Sequence, residues 1–113
     1  MIRDLNLFMV DILNSIKNIE EFSRNLDKEK FSKDILRQSA IIRQLEIIGE
    51  AVKNIPDSFR EKYPKIPWKN IAGLRDILSH AYFGVNIDRV WEIVKKDLPV
   101  LKKEINHINA DEL

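Results

Sequence analysis

Residues 39–56, SAIIRQLEIIGEAVKNIP, indicate a buried helix because their apolar residues recur at helical spacing. Successive members of this stripe are three or four residues apart, as expected for one face of a helix; they are Ile41, Leu45, Ile48, Val52 and Ile55. Further apolar residues widen the face, namely Phe31, Ile35 and Ile42. The pattern predicts a helix over about residues 31–54 that contacts more than one neighbouring helix.

The stretches on either side predict further helices. An apolar stripe that runs from Leu5 to Phe22 predicts a first helix of about 20 residues. A short helical turn is expected between Pro56 and Tyr63. A third long helix is predicted from about Pro67 to Tyr82, with Gly84 as its C-terminal cap.

The last helix should begin after Asn86, which is a good N-cap residue. Pro99 falls inside its apolar seam, so we expect a kink or break near Leu98. We therefore predict an all-α bundle of four main helices that forms a single domain over residues 1–113.

Composition narrows the classes of function. The 19 basic and 18 acidic residues leave a net charge of +1, so a general electrostatic RNA binder is not expected. The chain has no cysteine, which excludes disulfides and thiolate metal sites. Asp4 and Asp11 interrupt the apolar N-terminal stretch, which argues against a signal peptide or membrane span and favours a cytoplasmic protein.

A polar cluster occurs in LRDILSHAYFG, residues 74–84. His80 can exchange protons near neutral pH, and Arg75 can bind a phosphate through two N–H groups. Asp76, one helical turn before His80, can fix the tautomer of the imidazole. These residue types suit phosphodiester chemistry on RNA, whose 2′-hydroxyl is itself the nucleophile.

The helical geometry of the cluster leaves alternatives open. Arg75 and His80 are five residues apart, so their directions on an ideal helix differ by about 140°. A long arginine, a loosened helix or a second copy of the chain would each bring the two groups together. The alternative to an active site is a hydrogen-bonded helix end. A metal site is not expected from Asp76 and His80 alone, although one shared across a dimer stays open.

Two charged strips lie outside the cluster. Arg43, Glu46 and Glu50 are expected to form a surface ion-pair strip, with Glu50 alternatively reaching the cluster. The last helix carries a basic strip that is either a solvated face or a surface for RNA or a partner. Its members are Lys95, Lys96, Lys102 and Lys103.

The residues around the cluster resemble the HepT family of HEPN-domain proteins, the toxins of HepT–MntA toxin–antitoxin pairs. The family motif R-x4-H-x-Y is met by Arg75, His80 and Tyr82. The segments RQLEIIGEAVKNIP, IPWKNIAGLRD and HAYFGVNIDRVWEIV are also similar to the family, and the resemblance covers nearly the whole chain.

The resemblance implies a HEPN bundle of four to five helices that forms a homodimer with its two motifs facing one cleft. It implies an endoribonuclease that needs no metal or other cofactor, in which Arg75 and His80 are catalytic and Asp76 supports them. The implied partner is an MntA-like nucleotidyltransferase antitoxin that attaches AMP to Tyr82. Some HEPN proteins are non-catalytic scaffolds, so a helical module that binds a nucleotidyltransferase is the alternative function.

Overall fold

The computed structural model describes the backbone of residues 2–80 and 86–111 and the side chains of residues 5–74 and 86–108. Those residues form helices and no strand, which confirms the predicted all-α class. The α-helices are α1 (Ile2–Phe22), α2 (Lys28–Lys33), α3 (Ile35–Lys53), α4 (Asp57–Arg60), α5 (Trp68–His80), α6 (Ile87–Glu92) and α7 (Leu98–Asp111). A π-helical turn, Ile93–Asp97, joins α6 to α7.

Helix α3 lies between α1 and α5, as its wide apolar face predicts. Asn18 on α1 donates a hydrogen bond to Gln44 on α3 over 3.3 Å. Asp11 of α1 shares a groove with Glu50, farther along α3, so α1 and α3 run in opposite directions. Helices α6 and α7 complete the bundle and contribute fully buried residues such as Leu101 and Ile105 to the core.

The predicted continuous helix over residues 31–54 is wrong, because the chain breaks at Asp34. The Asp34 carboxylate accepts a hydrogen bond from the backbone N–H of Arg37 over 3.0 Å and so caps α3. The Asp34 backbone N–H donates to the carbonyl of Phe31 at the end of α2. Phe31 is buried as expected, whereas Ile35 points into solvent and is no part of the buried face.

Most residues that were predicted to begin or interrupt a helix do so in the structure. The Asn86 side chain accepts a hydrogen bond from the N–H of Arg89 over 3.1 Å, which confirms it as an N-cap. Pro67 directly precedes α5, so the helix begins one residue after the predicted start. The α-helical pattern is interrupted immediately before Leu98, which confirms the break predicted from Pro99. Gly84 lies outside the described residues.

None of the described helices is long and apolar enough to cross a lipid bilayer.

Candidate active site

The start of α5 is fixed by a hydrogen-bond network that links α3, α4 and α5. The indole N–H of Trp68, the first residue of α5, donates to the carbonyls of Arg60 (3.1 Å) and Tyr63 (3.0 Å). The Arg60 guanidinium in turn donates to the carbonyls of Val52 (2.7 Å) and Ile55 (3.0 Å) at the end of α3. Because one buried indole closes this network, α5 begins beside the C-terminal end of α3 and runs back along it.

Replacing Trp68 with phenylalanine is expected to lower the free energy of unfolding by about 1–3 kcal/mol from the lost hydrogen bonds, beyond the effect of the smaller ring. The reason is that the Arg60 and Tyr63 carbonyls lose their indole donor. Urea unfolding followed by the fluorescence of the remaining tryptophan measures the change.

Trp91→Phe is the matched control, since Trp91 is also buried and its ring packs on Phe31 with centroids 5.0 Å apart. Equal losses of stability in the two variants would contradict the importance of the indole hydrogen bonds.

The backbone of α5 places the predicted catalytic residues on two sides of the helix. Arg75 follows Ile71 by one turn, and Ile71 is fully buried, so the Arg75 position lies on the side of α5 that faces the bundle. His80 follows Gly73 by two turns, and an added Cβ at Gly73 would meet no atom within 4 Å. The His80 position therefore lies on the side of α5 on which Gly73 lies, as does the Asp76 position.

The side chains of Arg75, Asp76 and His80 are outside the described part of the structure, and so is all of Tyr82. The helical backbone from Trp68 to His80 agrees with the predicted position of the motif on a helix. The roles of these four residues stay predictions. Because α5 is a regular helix, the directions of the Arg75 and His80 positions differ by about 140° around its axis.

The expected ion-pair strip on α3 is confirmed in part. Arg43 and Glu46 form a salt bridge with an N–O distance of 3.7 Å. Both line a groove of about 390 Å³ between α1 and α3. The apolar floor of this groove, formed by Phe8, Ile47 and Ala51, was not predicted, because it needs the relative placement of two helices. The alternative in which Glu50 contacts the catalytic cluster stays a prediction.

The four lysines of the predicted basic strip differ in the contacts that they make. Lys102 forms a salt bridge with Glu20 on α1 at 2.9 Å, and the Lys95 ammonium lies 4.7 Å from the ring centroid of Trp91. Lys96 and Lys103 are exposed on the outer side of the helix. Of the four lysines, Lys102 therefore links α7 to α1, Lys95 contacts a ring one turn before it in the chain, and Lys96 and Lys103 are solvated.

Among the described side chains, no group of three or more histidine, cysteine, aspartate or glutamate residues is arranged to hold a metal ion.

Comparisons with known proteins place this helical chain in a family. Residues 12–108 match the family model described as ribonuclease HepT-like. The chain is 47% identical over 109 residues to a provisionally named RNase of Methanocaldococcus jannaschii, an alignment that covers 96% of this chain and 90% of that protein. It is 50% identical over 95 residues to a provisionally named ribonuclease HepT of Thermococcus cleftensis, covering 84% and 86% of the two proteins.

A second Methanocaldococcus jannaschii protein is named as a gamma-glutamylcyclotransferase and, provisionally, an RNase. It is 50% identical over 105 residues, and this chain spans about half (47%) of its length. No solved structure shows significant similarity to the chain. The match to the family model includes the whole of α3 and α5, and with it the R-x4-H motif, so the chain belongs to the HepT-like ribonuclease family.

Proposed function

We propose that the protein is the endoribonuclease toxin of a toxin–antitoxin pair and that it cleaves RNA without a metal ion. The observation that carries this proposal is the R-x4-H motif of Arg75 and His80 on the regular helix α5, in a chain of the HepT-like ribonuclease family. Relatives that match over nearly their full length are provisionally named RNases. The proposed site lies at the C-terminal half of α5, which carries the motif.

In the proposed reaction, RNA supplies the nucleophile. His80 accepts the proton of a 2′-hydroxyl as its oxygen attacks the adjacent phosphorus, and the bond from phosphorus to the 5′-oxygen breaks. The leaving 5′-oxygen takes up a proton, so the products are a 2′,3′-cyclic phosphate and a 5′-hydroxyl. Arg75 stabilises the negative charge that develops on the phosphoryl oxygens, and Asp76 holds the imidazole in its productive tautomer.

The proposed active unit is a homodimer. A single α5 presents the Arg75 and His80 positions in directions that differ by about 140°. In a dimer whose two α5 helices border one cleft, an arginine from one copy and a histidine from the other can act on the same phosphate. The proposal therefore assigns a complete site to two chains.

The proposed antitoxin is an MntA-like nucleotidyltransferase that attaches AMP to Tyr82. An AMP group close to Arg75 would add a phosphate that competes with the RNA backbone for the guanidinium and a purine that obstructs the cleft. The alternative function, a non-catalytic scaffold that binds the nucleotidyltransferase, predicts no RNA cleavage. Expression of the chain alone separates the two, since a toxin arrests growth and a scaffold does not.

Cleavage of RNA by the purified protein is expected to persist in excess EDTA and to leave 2′,3′-cyclic phosphate ends, because attack by the 2′-hydroxyl requires only acid–base and charge-stabilising groups. Mass spectrometry of the cleaved oligonucleotide identifies the ends. Loss of cleavage in EDTA that returns when Mg²⁺ or Mn²⁺ is added would show that the reaction depends on a metal.

A further inference from the structure

The first turn of α3 presents two large aliphatic side chains to solvent. Ile35 is 74% exposed and Leu36 is 81% exposed, although both belong to a helix whose opposite face forms the core. Single exposed aliphatic residues are common, but two adjacent ones this exposed mark a site of contact when further apolar surface adjoins them.

Such surface continues along the two edges of this side of α3, which Ile42 and Ile47 mark about 140° apart. Ile42, two turns after Ile35, is half-buried, and Ile47, three turns after Leu36, is half-buried where it lines the α1–α3 groove. Arg43 and Glu46 lie between them, and the Arg43 side chain is 68% exposed. We call this side of the helix, from Ile35 to Glu46 and Ile47, the outer face of α3. It is amphipathic, with apolar ends and one charge of each sign near its middle.

We propose that the outer face of α3 is the surface on which a second copy of this chain packs, with the two α3 helices antiparallel about a two-fold axis. The inference rests on the homodimer of the proposed function and specifies its interface. The two charged residues of the outer face, Arg43 and Glu46, are self-complementary in this arrangement, as an isologous interface requires.

The complementarity fixes the level of the axis. When Arg43 of one copy lies beside Glu46 of the partner subunit, the two-fold axis repeats the contact, so it occurs twice. The axis then crosses the helices between residues 44 and 45. Leu36 reaches the end of the partner's groove, which Ala51 and Asn54 line. The exposed leucine and the open groove thereby cover each other.

The same axis brings the two α5 helices together. Because α5 starts beside the end of α3 and runs back along it, its His80 end is level with the middle of α3, where the axis passes. A two-fold axis perpendicular to both α3 helices keeps the two α5 helices on one side of the pair and the two α1 helices on the other. The motifs of both chains then border one cleft, which a single chain cannot form.

Charge reversal tests the register. Arg43→Glu and Glu46→Arg each place like charges opposite one another at two points of the interface, so each purified variant is expected to elute as a monomer of 13.3 kDa in size-exclusion chromatography with light scattering. Mixing the two variants should restore a dimer, because every contact across the mixed interface again joins opposite charges.

The mixture distinguishes this interface from a role of the pair within one chain. The intrachain Arg43–Glu46 salt bridge is lost in both variants and is not restored by mixing. Two variants that remain dimeric alone, or a mixture that stays monomeric while the parent is a dimer, would overturn the proposed register.

Leu36→Asp tests the apolar end of the surface and should raise the dissociation constant of the dimer by about 10-fold or more. Val100→Asp is the matched control, since Val100 is 40% exposed on α7 and should leave the dimer intact. Circular dichroism verifies that both variants keep their helices. A parent dimer that does not cleave RNA would refute the proposed ribonuclease and leave the interface standing. A dimer unaffected by Leu36→Asp that cleaves RNA would refute the interface alone.

Discussion

His80→Ala and Arg75→Ala should each lower the rate of RNA cleavage by about 10²–10⁴-fold. The histidine variant loses the group that accepts the 2′-hydroxyl proton. The arginine variant loses the charge that stabilises the phosphoryl oxygens in the transition state. Single-turnover cleavage of a labelled oligonucleotide measures the rate, and expression of each variant in growing cells should no longer arrest growth.

The chain offers matched controls for both changes. His107, the only other histidine, is exposed on α7, and Arg24 is exposed beyond α1, where it pairs with Glu21. Replacing either with alanine should leave the rate within about twofold of the parent, since surface changes of this kind have small effects. If the His80 and Arg75 variants cleave as fast as these controls, the cluster is a hydrogen-bonded helix end and the scaffold function gains support.

Tyr82→Phe should remain toxic when expressed alone and stay toxic when the nucleotidyltransferase antitoxin is present. The reason is that phenylalanine lacks the hydroxyl oxygen to which AMP would be joined. Cell growth during co-expression gives the all-or-none readout. Intact mass spectrometry of the parent chain from the same cells should show added AMP, and the Phe variant should show none.

Tyr63→Phe is the control for this experiment because Tyr63 is the only other tyrosine. Tyr63 lies in the loop between α4 and α5, and its ring centroid is 5.2 Å from that of Phe59. The Tyr63 variant should acquire AMP and be neutralised as the parent is. Neutralisation of the Tyr82 variant to the same extent would mean that the antitoxin acts by covering the toxin and not by modifying this tyrosine.

The helices could be predicted from the sequence because their apolar residues repeat at a spacing that only one helical face satisfies. The stripe from Ile41 to Ile55 is buried along its length, and the cap at Asn86 forms the predicted hydrogen bond. Helical spacing and helix capping both depend on residues that are close together in the sequence. For the same reason the R-x4-H motif could be placed on a helix before the structure was known.

The break at Asp34 and the exposure of Ile35 could not be predicted from periodicity alone. The apolar spacing continues from Phe31 through Ile35, so the pattern does not register the change of direction between α2 and α3. Asp34 itself is a recognisable N-cap signal, but its choice between capping and solvent depends on tertiary packing. The groove that Phe8 and Ile47 line likewise could not be predicted, because it forms between two helices that are distant in sequence.

The π-helical turn keeps the apolar residues before and after it on the same side of the helix. Val90, Val94 and Leu98 are four residues apart and all buried, although two such steps in an α-helix would rotate the apolar side by about 80°. The turn spans Ile93–Asp97, and its closing bond runs from the N–H of Leu98 to the carbonyl of Ile93. It holds one more residue than an α-helical turn and so absorbs that rotation. The extra residue lets the segment before the turn and the segment after it each keep their apolar side in the core.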